Sequence, residues 1–164
     1  MRVIICVAAL FVVSAAVVPA SAASQAVWDQ CKDVNNKDAV VASLSACNKI
    51  LEDPGEGRNR AMALRNRCGI LYTSGEFDRA LADCNKAAEM DPQSAIAFDR
   101  RGLIWFKKGE LDRAIADFDQ ALRLNPKYAY AFYGRALALR QKGDTARADA
   151  DKAEAIRLDP SLAD

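Results

Sequence analysis

Three prolines constrain this chain more than any other feature. Pro92, Pro126 and Pro160 stand at one fixed interval, each preceded by a short polar residue: Asp91, Asn125 and Asp159. A constant period of this length marks a stack of similar supersecondary units. Blocks of one period beginning at Ala61, Ala95 and Ala129 fill consistent columns. Column 4 holds Leu64, Phe98 and Phe132, column 8 holds Cys68, Gly102 and Ala136, and column 11 holds Leu71, Trp105 and Leu139. Column 15 is always glycine (Gly75, Gly109, Gly143), and columns 20 and 27 are always alanine. Columns 4, 8 and 11 share one helical face, as do 20, 24 and 27. The glycine ends the first helix of each unit. The residue before proline is pushed out of the helical region and ends the second. Each unit is thus a helical hairpin that must stack on its neighbours to bury its shared face. Phe98 and Phe132 are expected in that core.

The filled columns resemble the tetratricopeptide repeat over residues 61–160. The segment Gly109-Glu110-Leu111-Asp112-Arg113-Ala114-Ile115-Ala116-Asp117-Phe118 has the form of that family's second-helix entry. The resemblance implies an all-α fold, a right-handed α-solenoid of three to four antiparallel helix-turn-helix repeats, at 61–94, 95–128 and 129–162. Aligning Cys47-Asn48-Lys49 with Cys84-Asn85-Lys86 adds a degenerate first repeat at 24–60, with Cys31 at column 8 and 54–60 as a flexible loop. Repeat arrays need polar ends. The last helix meets that need with Asp149 and Lys152 where the preceding repeat has Ile115 and Phe118.

Residues 1–22 read as a secretory signal peptide: Arg2, an apolar run, then Ala20-Ser21-Ala22 as the cleavage pattern. Removing them leaves 22 Lys+Arg against 22 Asp+Glu and four of the five cysteines. A neutral balance gives no field for nucleic acid or an acidic membrane surface. No later apolar run is long enough to span a bilayer. The chain has no histidine, which removes histidine acid–base catalysis, Ser-His and Cys-His pairs and most zinc sites. No cofactor, metal or catalytic residue is expected.

One repeated spacing joins the two helices of a hairpin. Cys31 to Cys47 and Cys68 to Cys84 both link column 8 to column 24. Residues whose column numbers sum to about 31 lie at one height in an antiparallel hairpin, so each pair can bridge, and an exported chain favours bridging. Buried free thiols are the alternative. Arg67, Arg101 and Arg135 at column 7 stand at the same separation from Asp83, Asp117 and Asp151 at column 23. They read as ion pairs within each hairpin, or else as separately solvated charges.

In the resembling family, ligands lie along the concave surface of the first helices. Here that surface carries Met62, Ile96 and Tyr130 at column 2, and Arg65, Asp99 and Tyr133 at column 5. Leu103 and Leu137 follow at column 9, with Tyr72, Phe106 and Arg140 at column 12. An aromatic-rich strip with charges at its margins suggests a partner surface, or else packing between adjacent first helices. The family's carboxylate-binding set of Lys and Asn at columns 5 and 9 is not reproduced by Arg65 and Gly69. The expectation is a non-enzymatic interaction module of the bacterial cell envelope, periplasmic or secreted, binding a protein or peptide. A self-assembling solenoid and an accessory subunit of an envelope enzyme complex are the competing readings.

Overall fold

The computed structural model describes residues 20–32, 39–52 and 57–163. Eight α-helices run through them: α1 Ala20–Lys32, α2 Val40–Glu52, α3 Gly57–Thr73, α4 Phe77–Met90, α5 Ala95–Lys107, α6 Leu111–Leu124, α7 Ala129–Lys142 and α8 Thr145–Leu158. A short 3-10 turn, Pro160–Leu162, follows. They form four hairpins, α1/α2 to α7/α8, each stacked on the next. Among the described residues there is no strand and no helix long and apolar enough to cross a membrane. The signal segment lies outside the described residues except for 20–22, which begin α1.

The glycines at column 15 do what their lack of a Cβ permits. Gly75, Gly109 and Gly143 adopt φ of 78°, 79° and 89°. Each is followed by an N–H that reaches back five residues, Glu76 to Leu71, Glu110 to Trp105 and Asp144 to Leu139, to close a Schellman cap. The second helices end differently. The side chains of Asp91, Asn125 and Asp159 accept the N–H two residues on, from Gln93, Lys127 and Ser161. These Asx turns explain why aspartate or asparagine, and not any residue, precedes each proline.

Two expectations are corrected. Of the flexible loop placed at 54–60, residues 57–60 are helical instead, because α3 starts at Gly57, and 54–56 lie outside the described residues. Phe98 and Phe132 are only partly buried, and the Arg101 and Arg135 guanidinium carbons lie over their outer faces at 5.3 and 5.6 Å. Among the described residues the fully buried ring is Phe118, at 0% exposure. It sits so close to α5 and α7 that a Cβ at Gly102 would lie 2.9 Å, and one at Gly134 2.6 Å, from its ring carbons. Glycine at those positions is a packing requirement, and it gives the deepest place in the third hairpin to column 24, with Phe98 and Phe132 packed against that cluster from outside.

The cysteines form the bridges Cys31–Cys47 and Cys68–Cys84, with Cα atoms 4.9 and 5.5 Å apart. All four are completely buried. The Arg/Asp columns form bidentate pairs: Arg67 Nε and Nη2 donate to Asp83 at 2.6 and 2.7 Å, Arg101 to Asp117 at 2.8 and 2.7 Å, and Arg135 to Asp151 at 2.7 and 2.8 Å. The fork of each arginine has a further use. Nη1 reaches the preceding hairpin, to Asn48 at 2.6 Å, Asn85 at 3.2 Å and Asp119 at 2.6 Å. The aspartates are close to buried, with 9–11% of each side chain exposed. Such charge-assisted bonds contribute more than an exposed pair would, about 1.5–3 kcal/mol. The hydrogen bonds of Asp117 and Asp151 raise the pKa of Arg101 and Arg135 above the usual arginine value.

Candidate functional site

First helices of successive hairpins touch, α3 with α5 and α5 with α7, while the second helices do not pair in that way. The first helices therefore line the inside of the curve, and the columns singled out above face it. The structure divides them. Tyr130, Ile96 and Leu137 are exposed by 55%, 36% and 37%. Arg140 is exposed and pairs with Asp149. Met62, Tyr72 and Tyr133 are partly buried. Leu103 and Phe106 pack against the Phe118 cluster, so part of the strip does fill space between helices. Asp99, expected among the marginal charges, is instead buried to 4% exposure, because it points between α5 and the start of α7 rather than outward.

A cavity of about 360 Å³ opens on this face where α3, α5 and α7 meet. From α3 come Gly69, Tyr72 and Thr73, from α5 Asp99, Arg100 and Leu103, and from the entry to α7 Tyr128 and Tyr130. The Tyr128 hydroxyl donates to Asp99 Oδ2 at 3.2 Å, while Asp99 Oδ1 is buried with no hydrogen-bond partner. Burial pushes the Asp99 carboxyl up to about 6, against the opposing effects of the Tyr128 hydroxyl and the Arg100 charge. Arg100 Nη1 donates to the Arg65 carbonyl oxygen, which carries the guanidinium across α3. Glycine at 69 lets the guanidinium lie where it does, since a Cβ there would sit 2.9 Å from its central carbon and make it shift. Burial, and then the neighbouring Arg65, push Arg100 down to about 10. Burial, followed by the Asp99 charge, raises the Tyr128 and Tyr72 phenols. Arg65 is lowered by burial, with Asp91 and Tyr128 opposing.

Sequence reasoning missed Arg100 and Tyr128. Arg100 falls at column 6 and Tyr128 precedes α7, both outside the inward-facing columns. One signal was available: Gly69 breaks an otherwise apolar column 9, next to Leu103 and Leu137, and a missing side chain there implies something lying over it. Among the described residues, no cluster of carboxylates and thiols is arranged to hold a metal ion.

Comparison with known proteins agrees with this architecture. Residues 102–143 match a family model described as TPR repeat. No curated protein sequence matches the chain. Among solved structures, the first TPR of Spaghetti (RPAP3) bound to the HSP90 peptide SRMEEVD superposes with a TM-score of 0.59 at 23% identity, covering 61% of this chain and 79% of that one. The second TPR domain of human RPAP3, in complex with the HSP70 peptide SGPTIEEVD, gives 0.59 at 23% identity, over 63% and 87%. A MamA RS-1 double mutant gives 0.67 at 17% identity, over 84% and 75%. The fold is that of a helical-repeat solenoid. Residues 102–143 match the TPR repeat, and the described hairpins share the fold of solenoids built from such repeats.

Proposed function

We propose that this protein is a non-enzymatic interaction module of the bacterial cell envelope, holding a peptide or protein segment along the inside of the curve. The observation that carries this is the row of exposed apolar side chains on the first helices, Ile96, Tyr130 and Leu137, beside the Tyr72–Tyr128 cavity. Side chains of this type contribute to association when a partner covers them. Both RPAP3 structures named above hold a bound peptide, which supports a peptide as occupant. Export rests on the Arg2, apolar and Ala20-Ser21-Ala22 succession and on the two bridged hairpins, which suit an oxidising compartment.

The test is capture on a peptide array with Tyr130→Ala and Ile96→Ser. Both variants should melt within about 0.5 kcal/mol of the parent, as exposed substitutions do, and lose bound peptides. Capture unchanged in both would overturn the concave-face reading. Cell fractionation with intact-mass measurement tests export; a soluble cytoplasmic protein retaining residues 1–22 would overturn it. The rival reading, a self-assembling solenoid, predicts an elution volume that shifts with concentration.

A further inference from the structure

The cavity floor holds two charged groups that the fold leaves incompletely answered. Asp99 Oδ2 is taken by Tyr128 and Oδ1 has no partner, while Arg100 commits one N–H to the Arg65 carbonyl. They are the one carboxylate and the one cation of the lining, so its formal charge is zero. The rest of the wall is the hydroxyls and rings of Tyr72, Thr73 and Tyr128, with Leu103. The volume, about 360 Å³, is at the small end for ligand pockets and suits one side chain with its flanking atoms.

The charge arrangement discriminates among occupants. An ammonium group would meet Arg100, with Arg65 behind it. A carboxylate would meet Asp99, whose second oxygen already lacks a donor. A neutral group that donates and accepts at once meets neither penalty and can satisfy both sites.

We propose that this cavity is a binding site for a primary carboxamide, a glutamine or asparagine side chain of the bound segment, its N–H groups directed to Asp99 and its carbonyl oxygen to Arg100. The assignment rests on the concave-face reading above and gives it a chemical specificity. Asp99 Oδ1 is buried, so the amide N–H groups reach it as the Tyr128 ring turns, while Arg100 keeps its place over Gly69 to meet the carbonyl oxygen. Gly69 is a positioning residue: it acts only by leaving the Arg100 guanidinium its place over α3.

Three probes of similar size decide the matter: propionamide, its isostere propionate, and n-propylammonium, titrated near neutral pH into ¹⁵N-labelled protein. Propionamide should move the amide signals of Gly69, Thr73 and Leu103 and saturate. The two charged probes should bind at least about tenfold more weakly, roughly the effect of one unanswered hydrogen-bonding group. Arg100→Gln should weaken propionamide, and Gly69→Ala should do so with every charge retained. Tighter binding of propionate would make the cavity an anion site, and tighter binding of n-propylammonium a cation site. No shift with any probe would mean that the cavity is not a ligand site. Each of these three results overturns the assignment. If propionamide fails while peptide capture still depends on Tyr130, the carboxamide assignment alone falls. If propionamide binds while capture ignores Tyr130, the concave-face reading alone falls.

Discussion

The first two hairpins and the third meet the same geometric demand with different chemistry. Where α1 faces α2 and α3 faces α4, columns 8 and 24 carry a disulfide. Where α5 faces α6, the same columns carry Gly102 and Phe118, and the ring extends to Gly134 of the fourth hairpin. The difference lies in reach. A disulfide restrains only the hairpin it closes, chiefly by limiting the unfolded chain. A ring wedged between α5 and α7 couples two hairpins through native packing. The bridges thus add restraint within each of the first two hairpins, and the ring adds it between the third and the fourth, on top of the apolar contacts that join all neighbours.

The largest effect should come from Phe118→Ala, which opens a cavity on two sides. Urea denaturation should show a loss of about 3–5 kcal/mol. The native-state exchange of α5/α6 and α7/α8 should also become separately cooperative. If those hairpins still open together, the coupling lies elsewhere. Removing the second bridge as Cys68→Ala/Cys84→Ala should cost about 2–4 kcal/mol, as expected for a short closed loop. In that variant, exchange should speed up in α3 and α4 and stay unchanged in α7 and α8. Spread to α8 would erase the contrast.

A smaller effect, of opposite sign, belongs to the seam between α5 and the start of α7. Asp99 titrates near 6 in the folded protein and near 3.9 in an unfolded chain. The folded state holds the proton more tightly, so this group's contribution to stability falls as pH rises from about 4 through 6. Asp99→Asn should thus stabilise the protein at neutral pH by roughly 1–3 kcal/mol. The gain should shrink as pH falls towards 4. Thermal melts of the two proteins across that range check both the sign and the window. The smallest effect should be that of Lys142→Ala, which removes an exposed bridge to Asp112 between hairpins. A change above about 1 kcal/mol in chemical denaturation would show that surface ties rival the buried wedge.

Period and column arithmetic made the hairpins, their glycine caps and the paired columns across each hairpin legible, because each depends on local geometry or on one shared height. The location of the core ring was not legible. Phe98, Phe118 and Phe132 look alike in the sequence, and only the absence of side chains at Gly102 and Gly134 assigns the deep site to Phe118. The cavity was half legible. Tyr72, Asp99, Leu103 and Tyr130 were named from their columns, but Arg100 reaches it by crossing to another helix, and one repeat read alone carries no trace of that.

The arginine forks have a consequence for how such a chain could change length. Each joint between neighbours is a plug and a socket: an arginine at column 7 enters an acceptor at column 25 of the unit before it. The middle units carry both parts, so excising or duplicating one full period in register would keep the arginine forks matched. A second copy of the third unit, however, would set Arg100 against Phe118 where Gly134 now stands. The end units do not. Gln30 stands where the first would carry its plug, and Ala153 where the last would carry its socket. A further unit stacked on α8 would find no acceptor there. By its forks the array is a set of interchangeable parts; by the Phe118 ring, its third and fourth parts are matched to each other.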